Sequence, residues 1–185
     1  MRPLFTIHAG EYLAGLHVQK SLKLNAWIPA KDTGIDLLVT DGDNRRAVSL
    51  QVKYGKDFLP EEKKAELRSN LRCVSWFALN WAKLNASRAD FWVFVLQGFK
   101  SDEPDFVVVP TAELQRSMTT IHGSDSGKLQ SYLCSTETNE CWETRGLRSD
   151  DVMQIVNRTY KCPDRDFTEY LNENGWAAVQ NRLKS

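Results

Sequence analysis

Apolar and polar residues alternate most clearly over residues 33–54, where two runs of period two flank a turn rich in Asp, Gly and Asn. Ile35, Leu37 and Val39 before the turn, and Val48, Leu50 and Val52 after it, share one alternation and predict a β-hairpin with those six side chains on the core face. A turn centred on Asp43 and Asn44 opposes Ile35 to Val52, Leu37 to Leu50 and Val39 to Val48. A turn moved to Gly42 and Asp43 keeps the same faces together, whereas a three-residue loop would set apolar against polar. The other alternation carries Asp36, Leu38 and Thr40, then Ala47, Ser49, Gln51 and Lys53, with Asp36 opposite Gln51 and Lys53 on the diagonal. Residues 91–96 are apolar on both alternations, the mark of a strand covered on both faces, and residues 106–109 repeat the pattern before Pro110 ends it.

Period 3.6 predicts helices elsewhere. One runs over 6–22, with Thr6 as N-cap, Leu13 and Leu16 on one face, and Glu11 in its first half. Others are expected over 60–72 behind Pro60, over 111–120, from Ser149 or Asp150 to Tyr160, and over 164–174, with Gly175 as a hinge or C-cap before a closing segment 176–183. Trp76, Phe77, Leu79, Trp81 and Leu84 read as the buried face of a helix over 74–84. Aromatics beside basic residues can also stack on bases, but this spacing favours the core. Residues 129–145 read as a second hairpin around Glu137, Thr138 and Asn139, anchored by Trp142. The link from Lys53 to Phe91 through helices implies a right-handed β-α-β crossover.

Composition narrows the classes. A chain of 185 residues, 42% apolar and 26% charged, is expected to form a single domain with a substantial core. Its formal net charge of zero argues against coating nucleic acid by bulk electrostatics. A local basic excess between Arg45 and Arg72 remains, and Arg45, Arg46 and Lys56 are its members expected to contact nucleic acid. An ordinary solvated helix face shows the same excess. Neither a membrane-spanning run nor a leader pattern is present, so a cytoplasmic protein is expected. Cys73, Cys134, Cys141 and Cys162 form no CxxC pair and are expected to be reduced thiols. His8 and His17 are expected to be surface or packing residues.

The chemistry is concentrated on the polar hairpin face. Asp36 offers a hard anionic oxygen, Gln51 a neutral carbonyl oxygen and Lys53 a cation, a set that can hold a divalent metal and a phosphate together. Taken alone, the same residues also fit a solvated Asp–Lys pair on an exposed hairpin, worth under about 1 kcal/mol. Glu11 in a Gly-Glu helix, Asp36 in a Gly-Ile-Asp strand and Gln51-Val52-Lys53 in the next strand follow one another in an order that resembles the PD-(D/E)XK nuclease superfamily. The likeness spans about the first third of the chain, and looks closest to the branch with Gln for the second acid. That branch includes Mrr-like restriction endonucleases, and the wording is also similar to nuclease effector domains of bacterial anti-phage systems. Ile35 stands where the name-giving proline would be, and Gln51 leaves one fewer negative charge.

The resemblance implies an α/β, restriction-endonuclease-like mixed sheet flanked by helices. It implies a Mg²⁺-dependent DNA endonuclease, with Mn²⁺ as a substitute, leaving 5′-phosphate ends. Glu11, Asp36, Gln51 and the main-chain carbonyl of Val52 would hold the metal, and Lys53 would position the attacking water. The rivals are a nuclease-fold subunit that binds nucleic acid or a partner protein without turnover, and a structure-selective junction resolvase acting as a homodimer. A lone nuclease of this size would be indiscriminate, so control by oligomerisation or by a partner protein is expected. Residues 111–185 carry no readable motif and are left to specificity or partner binding.

Overall fold

The computed structural model describes residues 8–30, 33–58, 70–98, 103–123 and 127–184. Eight strands occur in the described chain: β1 (Asn25–Trp27), β2 (Leu37–Thr40), β3 (Ala47–Lys56), β4 (Leu71–Asn80), β5 (Phe91–Gln97), β6 (Asp105–Pro110), β7 (Lys128–Thr136) and β8 (Cys141–Glu143). The helices delimited within the described residues are α1 (Ala9–Lys20), α2 (Trp81–Asn85), α3 (Thr111–His122), α4 (Ser149–Val156) and α5 (Asn172–Lys184). Five strands form a mixed sheet in the order β1-β2-β3-β5-β6, in which only β3 and β5 run parallel. A smaller antiparallel sheet has the order β4-β7-β8.

The expected hairpin register holds: Leu37 pairs with Leu50 and Val39 with Val48, across a turn in which Asn44 N–H reaches the Asp41 carbonyl at 3.1 Å. Leu37, Val39, Val48, Leu50 and Val52 are buried, while Ile35, just before β2, is half-buried. These residues join Val93 and Val95 of β5 in a core closed by Ala14 and Val18 of α1 and by Trp176, Val179 and Leu183 of α5. The other face of β5, Trp92, Phe94 and Leu96, packs on the inner residues Phe77, Leu79, Leu129 and Leu133 of the smaller sheet and on Leu114 and Met118 of α3. Residues 91–96 are thus covered on both faces, as their double apolar pattern requires. The molecule is a mixed α/β structure with helices on one side of the large sheet and mainly a second sheet on the other.

Several expectations are corrected. The α1 face buried against the sheet is the small-residue stripe Gly10, Ala14 and Val18, with Leu13 packed beside it only half-buried and Leu16 outside the core, and its N-cap is His8; Thr6 lies outside the described residues. Most of the helix expected over 60–72 also lies outside them, but Leu71 and Arg72 belong to β4. Residues 74–84 are mainly strand. Cys73, Ser75, Phe77 and Leu79 are buried, and Arg72, Val74, Trp76 and Ala78 alternate away from them, before Asn80 caps the five-residue α2 through its bond to Lys83 N–H at 3.0 Å. The crossover from β3 to β5 therefore passes through a strand of the other sheet as well as a helix.

The C-terminal helices also shift. α4 stops at Val156 rather than Tyr160, with Arg148 at its N-cap. In place of a helix over 164–174 the chain makes two short 3₁₀ turns, Pro163–Arg165 and Thr168–Tyr170, and α5 starts only at Asn172, whose side chain bonds the Asp105 carboxylate and the Phe106 N–H. Gly175 is no hinge. It lies buried in the first turn of α5, where a Cβ would come within 2.2 Å of the Tyr170 carbonyl oxygen. His17 packs against Trp176 and Phe106, and burial lowers its pKa.

All four cysteines are free thiols. Cys73, Cys134 and Cys141 are buried on the smaller sheet, and burial raises each pKa, that of Cys73 to about 12. Cys162 is partly exposed. In the native protein a single thiol, Cys162, should react within minutes with a chromogenic disulfide reagent, and all four only after unfolding. Loss of the fast phase in Cys162→Ser checks the assignment.

Candidate active-site groove

The polar face of β3 borders an open groove of about 990 Å³, lined by Glu11, Asp36, Gln51, Val52 and Lys53 together with residues of β4, α2 and the loop before β5. Two glycines shape its near wall. At Gly10 a Cβ would lie 2.8 Å from Tyr54 Cβ, so only glycine lets the first turn of α1 press onto β3 and bring Glu11 to the groove. At Gly34, φ is +82°, a left-handed turn that sends the chain into Ile35 and Asp36.

Asp36 extends the ladder by donating its N–H to the Leu50 carbonyl at 2.8 Å. Its Oδ2 accepts the Val52 N–H at 2.7 Å and the Gln51 Nε2 at 2.5 Å. Because β2 begins only at Leu37, the carboxylate takes the place of a strand carbonyl for Val52. Gln51 therefore turns its amide nitrogen toward Asp36, and a half-turn about its last torsion is needed to present the oxygen to a cation. Lys53 projects from the same face of β3, its Nζ 5.4 Å from the centre of the Trp92 ring. That ring is held in turn by its Nε1–H to Ser87 Oγ at 3.1 Å.

Glu11 Oε2 accepts the His8 N–H at 3.3 Å, which closes the helix N-terminus. Burial raises the Glu11 pKa above its ordinary value, and the negative charge of Asp36 pushes it further up, against the lowering by the His8 bond and by Lys53. A carboxylate whose ionised form is resisted by burial and by a second carboxylate is one that a divalent cation would relieve. Glu11, Asp36, an amide and a main-chain carbonyl make a hard-oxygen donor set that fits such a cation. Among the described residues no group of three His, Cys, Asp or Glu side chains is close enough to hold a metal.

Arg45, Arg46 and Lys56 do not reach this groove. Arg46 is committed to the end of α5, with Nη1 bonding the Leu183 and Lys184 carbonyls at 3.0 and 2.6 Å, and Arg45 and Lys56 are exposed outside the groove lining. The cations that line it with Lys53 are Lys83, Arg88 and Lys128, from α2, the following loop and the start of β7. No local motif marks them. The chain matches no protein-family model, no curated protein and no solved structure.

Two predictions follow from this geometry. Glu11 binds its proton more tightly folded than unfolded, so its contribution favours folding fully below the ordinary value of 4.5 and is lost as pH rises through its raised folded value. Glu11→Gln should therefore raise the melting temperature near neutral pH, with the gain shrinking as pH falls through the raised folded value and gone below 4.5, measured by calorimetry across that range. Gly10→Ala should destabilise the fold by about 1–3 kcal/mol, because α1 must move off Tyr54; chemical denaturation of the two proteins checks it.

Proposed function

We propose that the groove is the active site of a metal-dependent phosphodiesterase that cleaves DNA. The observation that carries this reading is the convergence of Glu11 from α1, Asp36 from the entry to β2 and Gln51 and Lys53 from β3 on one groove that also collects Lys83, Arg88 and Lys128. Glu11, Asp36, the Gln51 amide after its half-turn and the Val52 carbonyl would hold Mg²⁺, or Mn²⁺ in its stead. Bound there, the cation supplies Lewis-acid activation of the phosphate and neutralises charge. Lys53 orients the attacking water and stabilises charge on the phosphorane as the water oxygen bonds to phosphorus and the P–O3′ bond breaks. The products carry 5′-phosphate and 3′-hydroxyl ends. Lys83, Arg88 and Lys128 bind the flanking phosphates.

The helix acid, the strand acid, the Gln-Val-Lys strand and the parallel β5 beside it support a restriction-endonuclease-like core, and with it a cytoplasmic role in bacterial defence or DNA processing. No described helix is long and apolar enough to cross a membrane. A second reading, a nuclease-fold subunit that binds nucleic acid without turnover, has its own support: the Asp36 carboxylate is already engaged by Val52 N–H and Gln51 Nε2, and these donors compete with a cation.

Incubation with plasmid, linear and single-stranded DNA in Mg²⁺, Mn²⁺ or chelator separates the two. Cleavage should require the metal and vanish in Asp36→Asn. Lys53→Ala should cut about a hundredfold or more slowly with DNA affinity little changed. Gln51→Glu, which adds a hard ligand, should cut within about tenfold of wild type, a barrier change of about 1.4 kcal/mol. If no nucleic acid is cut and both Lys53→Ala and Gln51→Glu merely weaken binding, the protein is a binding subunit.

A further inference from the structure

Because β4 is a strand, Trp76 faces outward and is 45% exposed. Tyr132 is its cross-strand partner on β7, and the ring of Phe58, itself 59% exposed, lies 6.1 Å from the Tyr132 ring. Arg145 sits 5.9 Å over Tyr132 and is steadied by the bond from its Nη1 to Gln130 Oε1. α4 covers the far end of this face through Val152 and Val156 against Val74 and Cys134, but the three rings stay outside that cluster. Soluble proteins seldom leave several large rings together at the surface without a partner for them.

The patch is continuous with the groove. Along the same outward row of β4, Ala78 and Asn80 follow Trp76, opposite Gln130 and Lys128 of β7. Ala78, Asn80 and Lys128 line the groove. Two residues of strand, on the order of 7 Å, separate Trp76 from Ala78 at the groove edge. The polar members of the path are amides and cations, and Asp57, next to Phe58 in the chain, accepts the Val74 N–H at 3.2 Å. Flat rings flanked by a guanidinium and an ammonium match unpaired bases, whose π-faces stack on aromatics while their phosphates meet the cations. A duplex hides those faces.

We propose that Trp76, Tyr132 and Phe58 form a stacking platform for unpaired bases of single-stranded DNA whose backbone continues into the groove. The platform rests on the reading of the groove as a DNA site and names its substrate class: DNA with a single-stranded portion beside the cut. Binding is measured by Trp fluorescence and by polarisation of a labelled oligo-dT and a blunt duplex hairpin, with the full chain in chelator and in the Asp36→Asn background, so that turnover plays no part. Trp76→Ala removes an exposed ring and should weaken oligo-dT binding by about 5- to 150-fold, the scale of one base–ring stack, and hairpin binding by less than about twofold. Trp76→Phe should restore most of the affinity. No oligo-dT binding by the parent, no loss in Trp76→Ala, or an equal loss for both DNAs overturns the platform. So does sedimentation showing that Trp76→Ala dissolves a dimer in the absence of DNA, because the face then serves a second copy of the chain. Failure to cut DNA touches only the catalytic reading, whereas cutting with unchanged oligo-dT binding in Trp76→Ala removes only the platform.

Discussion

Leu37 against Leu50 and Val39 against Val48 hold β2 and β3 in one register, and the place of every group on the near wall of the groove depends on it. These four side chains are at most 2% exposed. Burying each contributes about 1.5–3 kcal/mol, against about 0–1 kcal/mol for a surface ion pair, so the apolar pairs decide the alignment and the charged residues follow. A slip of one residue would turn the apolar set toward the groove and take the Asp36 carboxylate away from the Val52 N–H.

The groove exists because the two sheets do not match in extent. The smaller sheet and α3 cover the aromatic half of the large sheet's second face, where Trp92, Phe94 and Leu96 demand burial. On β3, Ser49, Gln51 and Lys53 lie on that same face and have no such demand. The sheets touch where β3 leaves the large one. At Gly55 a Cβ would meet Ser75 Cβ at 2.9 Å, and the Ser75 hydroxyl donates to the Gly55 carbonyl. That close contact sets how far β4 stands from Lys53, and so brings α2 and the start of β7, with their cations, to the opposite wall.

Electrostatics within the groove are mixed, with a cationic excess. Among the described residues two carboxylates face four cations, and Glu11 feels both Asp36 and Lys53. The bonds to Asp36 are charge-assisted and hold the carboxylate in one orientation. Gln51 is where the two proposed readings part. Its amide donates to Asp36, and on the catalytic proposal a half-turn would present its oxygen as a ligand instead, whereas the binding-only proposal leaves it as it stands.

Much of the near wall was legible in the sequence because its causes are local. Period-two alternation gave the hairpin and its register, and the double apolar pattern of residues 91–96 required cover on both faces. The far wall was not legible. Phe77, Leu79 and Trp81 suit a helix face as well as a strand, and pairing with β7, about fifty residues away in the chain, decided for the strand. That pairing turned Trp76 outward and carried Lys83, Arg88 and Lys128 to the groove, while Arg45 and Arg46, close to Gln51 in sequence, ended at the far end of the hairpin. By itself the sequence determined which residues share a strand face, since that follows from local backbone geometry. Which charges share a groove was left to the tertiary structure, because it depends on contacts between segments distant along the chain.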